Sequence, residues 1–260
     1  MITLDKFYIN GAWVTPDAPK TMPILTPSTN AQVGTVSLGN AVDVDRAVAA
    51  AKTAFETFSL TTKDERLALL RKLAELTRAR LGDLAAAITM EMGAPATMSR
   101  DAQADAGLGH LEAFLTALEA HDEEEILPNG DIVSREPIGV CGLITPWNWP
   151  INQIALKVIP ALATGSTCVL KPSEHTPLSA QIYAELIHEA GYPAGVFNLV
   201  YGDGPSVGAA LSRHPDVAMM SFTGSTRAGS AVSVDAAATI KRVTLELGGK
   251  SPNVIFADAD

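Results

Sequence analysis

The sequence predicts an α/β fold built on a doubly wound parallel sheet, and three observations carry that prediction. From Val140 onward, short apolar runs alternate with stretches of helical period, the pattern of repeated β-α-β units. The apolar runs are near-continuous rather than alternating, as strands covered on both faces are. Pro146, Pro150, Gly165, Pro172, Pro177 and Gly191 fall between those runs and helices and mark the breaks. The chain has 260 residues, 47% apolar and 18% charged, which suits a packed globule and excludes a disordered one.

The first forty residues read as short strands and turns. Phe7-Tyr8-Ile9 and Ala12-Trp13-Val14 flank Asn10-Gly11, a type I′ hairpin signal. Two helices follow. In the first, Val44, Val48, Ala51, Phe55 and Phe58 recur at helical spacing behind Gly39-Asn40. The second opens on the capping box Thr62-x-x-Glu65 and is expected to show Leu69, Leu73 and Leu76 on one face. Further helix is expected over roughly 83–92 and 98–121, broken by Gly93 and Pro95. Residues 122–138 then turn acidic and polar around Leu127-Pro128-Asn129-Gly130, which reads as an edge or arm hairpin, with a plain surface loop as the alternative.

The alternation begins with the strand Val140–Ile144, then a helix from Ile151 to Thr164. A strand at Thr167–Leu170 leads to a helix carrying Leu178, Ile182 and Leu186, with Thr176 expected as its N-cap and Pro177 as its first residue. Strand Phe197–Val200, a helix near 205–212 and strand Val217–Phe222 complete the series.

Charge and composition exclude several functions. Nineteen Lys and Arg against 29 Asp and Glu give a formal net charge of −10, which disfavours nucleic acid as a partner. No apolar span approaches the ~20 residues of a membrane helix, and no signal peptide is evident at the start. Two cysteines, Cys141 and Cys168, and five histidines without ligand spacing make a disulfide framework or a metal site improbable and suit a reducing, cytoplasmic compartment.

Ligands of a doubly wound sheet bind beyond the carboxyl ends of its strands, where this chain places its most distinctive residues. These are Thr145-Pro146-Trp147-Asn148-Trp149-Pro150, Lys171-Pro172-Ser173-Glu174, Gly202-Asp203-Gly204-Pro205 and Thr223-Gly224-Ser225-Thr226. A dinucleotide needs an acid for a ribose diol, and Glu174 lies 24 residues past Pro150, near the ~20 expected. Lys171 could reach the ribose or balance phosphate charge, or the two could be a plain surface ion pair. Ser225 opens a helix and could offer a hydroxyl and N–H groups to a phosphate. The Gly-x-Gly-x-x-Gly fingerprint is missing after the first strand. Gly224 and Gly229 have P-loop spacing without the Lys-Ser/Thr that follows in one, which disfavours triphosphate hydrolysis.

Four motifs in register resemble the aldehyde dehydrogenase superfamily. They are Ile144-Thr145-Pro146-Trp147-Asn148-Trp149-Pro150, Leu170-Lys171-Pro172-Ser173-Glu174, Ser221-Phe222-Thr223-Gly224-Ser225 and Val243-Thr244-Leu245-Glu246-Leu247-Gly248-Gly249-Lys250-Ser251-Pro252. The resemblance runs from Phe7 to Asp260. It implies an N-terminal segment over 1–121, an oligomerisation-arm hairpin over 122–138, a Rossmann-type cofactor domain over 139–245 and the start of a catalytic domain over 246–260. It also implies oxidation of an aldehyde by NAD through a cysteine thioester, in a dimer or tetramer. Glu246 would be the base that activates water and Asn148 the oxyanion donor. Lys171, Ser173 and Glu174 would hold the adenosine ribose, Ser225 a phosphate, and Gly204, Pro205 and Gly208 the adenine wall. Ile144, Thr145, Pro146 and Trp147 would line the cofactor's path, completed by Phe222, Thr223, Gly224, Ala228, Leu247 and Gly248. Glu174 would favour NAD over NADP, because a carboxylate repels a 2′-phosphate.

The family's nucleophile lies some tens of residues past the glutamate, whereas this sequence ends 14 residues after Glu246. Cys141 and Cys168 sit in apolar strands, where a thiol is inert packing. The competing readings are therefore an inactive paralogue that binds NAD or a full-length relative, and a plain Rossmann-type binding module. A coenzyme A-acylating enzyme is disfavoured, since a thiol deacylator has no need of Glu246.

Overall fold

The fold is given by a computed structural model that describes residues 1–249 and 251–259. Its N-terminal segment starts with five strands: β1 (Ile2–Leu4), β2 (Phe7–Ile9), β3 (Ala12–Val14), β4 (Lys20–Thr26) and β5 (Ala31–Leu38). Helices α1 (Ala41–Phe58), α2 (Lys63–Ala79), α3 (Leu81–Met92) and α4 (Ala96–Met98) follow. A π-helical turn at Ser99–Ala104 then runs into α5 (Asp105–Glu119). A hairpin of β6 (Glu124–Ile126) and β7 (Ile132–Ser134) separates these from the alternating part. That part comprises β8 (Val140–Ile144), α6 (Pro150–Ala163), β9 (Thr167–Lys171), α7 (Pro177–Glu189) and β10 (Phe197–Leu199). A π-helical turn at Gly204–Gly208, α8 (Ala209–Arg213), β11 (Val217–Thr223), α9 (Thr226–Ala237) and β12 (Arg242–Glu246) complete it.

The main sheet has the order β12-β11-β8-β9-β10-β2-β3, and its first five strands are parallel. From β8 the chain steps outward through β9 to β10, then returns to place β11 on the other side of β8. This reversal makes a topological switch point between β8 and β11. Right-handed crossovers put α6 and α7 on one face, where they pack together, and α8 and α9 on the other, where α8 also meets α1. β8 and β9 are buried along their whole length, as their apolar runs require.

The hairpin β2–β3 extends this sheet. Leu199 pairs antiparallel with Tyr8, so β2 covers an edge left by a strand of only three residues. Phe7, Tyr8 and Ile9 are all buried, which explains why three apolar residues stand in a row there. Asn10 (φ 53°) and Gly11 (φ 75°) both take the left-handed region, as the type I′ turn demands.

Several helix starts follow the sequence. Asn40 and Asp43 form a reciprocal box at α1, and Thr62 and Glu65 form another at α2. Two expectations are corrected. The buried face of α2 is centred on Leu67, Leu70 and Leu73, while Leu69 and Leu76 are only partly covered. Arg66 lies on the same buried face, with its Nε donating to the Ala163 carbonyl at 2.9 Å and a terminal nitrogen paired with Glu123. Thr176 precedes α7 but makes no side-chain cap, and its hydroxyl is buried without a partner. The free N–H groups of α7's first turn, which are buried, donate instead to Glu91 of α3.

Among the described residues no helix is long and apolar enough to cross a membrane, and no group of three or more His, Cys, Asp or Glu could hold a metal ion. The two cysteines are neighbours across β8 and β9, buried, with burial pushing Cys141 up to about 11 and Cys168 well above the ordinary thiol range.

Candidate functional site

Strand register assembles the site. Lys171 of β9 lies beside Ile144 of β8, Ile144 beside Phe222 of β11, and Phe222 beside Leu245 of β12. Four strands thus end in one row at the switch point. One residue further along, Thr223 pairs with Glu246, and the Gly224 N–H donates to the Glu246 carbonyl at 3.0 Å. Glu246 itself is exposed at the carboxyl end of β12, open to solvent.

At the β9 end, Lys171 is buried and donates from Nζ to the Pro172 carbonyl at 3.0 Å and to Glu174 Oε2 at 3.2 Å. Burial pulls its ammonium below the ordinary lysine range, and the charges of Glu174 and Asp203 oppose that pull. The loop between is a tight turn in which Ser173 accepts from the N–H groups of His175 (Oγ, 3.2 Å) and Thr176 (carbonyl, 3.2 Å). Glu174 and Trp147 line a cleft of about 550 Å³ shared with Glu91, His175 and Met22–Leu25.

Gly208 closes the row from above. A Cβ there would rest 3.7 Å from Ile144 Cδ1 and 3.8 Å from Lys171 Cδ, so the glycine face belongs to the same wall. Gly204 and Pro205 are exposed beside it, and nothing lies within 4 Å of a Cβ built on Gly204. Asp203 caps this turn, accepting from Ser206 N–H at 2.7 Å and Ser206 Oγ at 2.5 Å, and those bonds hold its carboxyl below the usual range.

On the β11 side, Ser225 is exposed and caps α9, its Oγ accepting from Ala228 N–H at 3.2 Å. That bond leaves the Ser225 O–H and the N–H groups of Thr226 and Arg227 to face an anion. Gly224 has no room for a Cβ, which would stand 2.6 Å from the Phe222 ring. Leu247 folds over Gly229 of α9, while Gly248 is open.

The β8–α6 loop holds Thr145, Pro146, Trp147 and Asn148. The Thr145 N–H continues the sheet by donating to the Lys171 carbonyl at 3.2 Å. Trp147 and Asn148 are exposed, and the Asn148 carbonyl accepts from Gln103 Nε2 at 3.5 Å. The register therefore gathers Ile144, Lys171, Phe222, Thr223 and Glu246. Asn148 is held on the loop above that row rather than within it.

The residues fit a dinucleotide on two observations. The hydroxyls of Thr145 and Thr223 are buried without partners at the ends of β8 and β11, the two strands flanking the switch point. Glu174 keeps a quarter of its side chain exposed, with Lys171 orienting it from behind.

Three residues of this region escape the motif reading. Lys157 is the one charged residue in α6, buried, with Nζ donating to Ser221 Oγ at 3.0 Å. Burial pushes it down to about 8 and the charge of Glu246 pulls the other way. A single charged residue, a lysine, in the otherwise uncharged α6 was the signal available. Glu91 and Gln103 are buried polar residues on separate helices, and only tertiary contact marks them.

A sequence model described as the aldehyde dehydrogenase family matches residues 13–260. A 3-succinoylsemialdehyde-pyridine dehydrogenase from a Pseudomonas species is 54% identical over 256 residues, covering 98% of this chain and 54% of that protein. The crystal structure of an aldehyde dehydrogenase from Bartonella henselae superposes with a TM-score of 0.95 at 51% identity, over all of this chain and 55% of that one. A mutant of aldehyde dehydrogenase C from Pseudomonas syringae, complexed with NAD+ and octanal, superposes at 0.94 with 49% identity, covering 98% of this chain and 53% of that one. The chain thus spans about half the length of the relatives it matches. A seven-stranded sheet with this switch point, the motifs along its carboxyl edge and a match over nearly every residue lead to one assignment: the chain belongs to the aldehyde dehydrogenase family.

Proposed function

We propose that this chain is the NAD-binding portion of an enzyme that oxidises an aldehyde to a carboxylic acid through a thioester on a cysteine beyond residue 260. The row Lys171–Ile144–Phe222, with Glu246 one step along it, is the observation that supports this reading most. In it, Glu174 accepts from the adenosine ribose diol, with Lys171 and Ser173 beside it. Ser225 and the N-terminus of α9 take phosphate charge. Gly204, Pro205 and Gly208 form the adenine wall, and the strip Ile144 to Trp147 with Phe222, Thr223, Gly224, Ala228, Leu247 and Gly248 lines the rest. NAD is preferred over NADP because the Glu174 carboxylate would face a 2′-phosphate. When bound, the nicotinamide supplies a two-electron acceptor for hydride.

The chain's own residues act on either side of that transfer. As a thiolate bonds to the aldehyde carbon, the Asn148 amide donates to the oxyanion that forms. After the hydride has left, Glu246 takes a proton from water. The water oxygen bonds to the thioester carbon, and the carbon–sulfur bond breaks to return the thiolate. The two thiols of this chain do not serve, being buried and held protonated. These 260 residues alone therefore bind cofactor without turnover. The segment division given above, a homo-oligomer joined through the 122–138 hairpin and a cytoplasmic setting belong to the same proposal.

Calorimetric titration of NAD into this chain tests it. Saturable binding is expected, weakened about 10- to 100-fold by Glu174→Ala, the worth of hydrogen bonds to a charged acceptor. Absence of binding, or indifference to Glu174→Ala, overturns the reading. In a longer polypeptide carrying the thiol, Glu246→Gln is expected to keep a single burst of NADH and abolish steady turnover.

A further inference from the structure

We propose that Glu91 is a positioning residue for the cofactor loop. From α3, in the N-terminal segment, it grips the first turn of α7 and so fixes the short Pro172–Thr176 connection that presents Glu174.

The starts of α1, α2, α9 and the turn at Gly204–Gly208 are capped by the residue immediately before them, Asn40, Thr62, Ser225 and Asp203, while α3, α5 and α6 have no side-chain cap there. α7 also lacks a local cap but receives one from a distant helix. Thr176 does not cap it, and Pro177 has no N–H to offer, so the first free donors are the N–H groups of Leu178 and Ser179. Leu178 donates to Glu91 Oε2 at 2.5 Å and Ser179 to Glu91 Oε1 at 3.0 Å. Ser179 Oγ adds a third bond to Oε1 at 2.5 Å. The carboxylate comes from 87 residues earlier in the chain. It is fully buried, and burial pushes its carboxyl up to about 7.

Burying a carboxylate is costly where a local threonine stood available, and the three bonds locate the compensation. The connection has five residues between the two anchors, β9 in the sheet at Lys171 and α7 at Pro177. With α7 clamped, the Lys171–Glu174 pair and the Ser173 turn have one geometry to adopt. Glu91 and Glu174 also face the same cleft, so a shift of the α7 start alters the cleft where the ribose would lie.

The inference rests on Glu174 being the ribose anchor, and a double-mutant cycle on NAD affinity tests both separately. The proteins are the unsubstituted chain, Glu91→Gln, Glu174→Ala and the double variant, each with its unfolding midpoint measured alongside. Glu91→Gln is expected to weaken NAD three- to tenfold in the unsubstituted chain and less than twofold when Glu174 is already alanine. Equal losses in both backgrounds, or none in either, overturn the positioning role while leaving the Glu174 reading intact. Unchanged affinity on Glu174→Ala overturns the Glu174 reading, and the inference falls with it. If Glu91→Gln does not fold, Ser179→Ala enters the same cycle, with a twofold or greater loss that vanishes in the Glu174→Ala background expected, and additivity overturning.

Discussion

Lys171 Nζ and Glu174 Oε2 meet at 3.2 Å across a single loop, with the lysine side chain 4% exposed and the carboxylate 24%. The two partners therefore bear unequal desolvation. The cation is committed to the interior, with the Pro172 carbonyl as its other acceptor, while the carboxylate still reaches solvent.

That inequality sets an order between two substitutions. Glu174→Ala strands a buried ammonium, which is destabilising by about 1–3 kcal/mol. Lys171→Met removes the buried charge along with its desolvation cost and leaves a carboxylate that water can solvate, so it is expected to cost less. Urea midpoints at pH 7 compare the two. A larger loss for Lys171→Met, which keeps the aliphatic stem and drops the ammonium, would mean that the bonds of Nζ to Pro172 and Glu174 outweigh its desolvation cost.

Glu91 makes stability depend on pH in a direction opposite to most carboxylates. Its folded value is about 7 against an ordinary 4.5, so between those values the folded chain keeps a proton that the unfolded chain has released. Stability therefore falls as pH rises through this window, by roughly 3 kcal/mol if the whole shift is expressed. The contribution is complete below about 4.5 and lost above about 7. Glu91→Gln cannot ionise, so its stability relative to the unsubstituted chain is expected to improve by that amount between pH 4.5 and 8. Parallel pH profiles for the two proteins would show that folding does not shift the Glu91 carboxyl from its ordinary value.

What the sequence made legible was local or periodic. Asn10-Gly11, Asn40 and the Thr62–Glu65 box announce turns and helix starts because the residues involved lie within three positions of one another. The strand-end motifs were legible because parallel strands bring their carboxyl ends to one edge; that Lys171, Ile144 and Phe222 are neighbours there follows from the strand order β11-β8-β9. What escaped depends on partners far along the chain. The Thr176 expectation failed because Glu91 supplies the cap from another helix. The addition of β2 to the sheet follows from the short edge at β10, which neither segment reveals alone. Leu70 and not Leu69 lies on the inner face of α2, because that face is set by packing against α5, α6 and α7, which the helix's own sequence does not show.

The approach of α5 to α6 gives a further prediction. A Cβ on Gly107 would stand 2.2 Å from Ile151 Cγ2 and 3.6 Å from the Ile151 carbonyl, while on Gly109, two residues along the same helix, it would meet nothing within 4 Å. Ile151 is fully buried, β-branched and so stiff at χ1, and it is the second residue of α6, behind the loop that carries Asn148. It has no easy way to give. Alanine at Gly109 is expected to stabilise the chain by up to about 1 kcal/mol through helix propensity. At Gly107 the same gain meets an overpacking cost of about 1–3 kcal/mol, so a net loss is expected. Because the displaced isoleucine adjoins Pro150, Gly107→Ala should also perturb the fluorescence of Trp147 and Trp149, which Gly109→Ala should leave unchanged. Equal stabilisation by both alanines would show that the distance between α5 and α6 is not set by the missing side chain at Gly107.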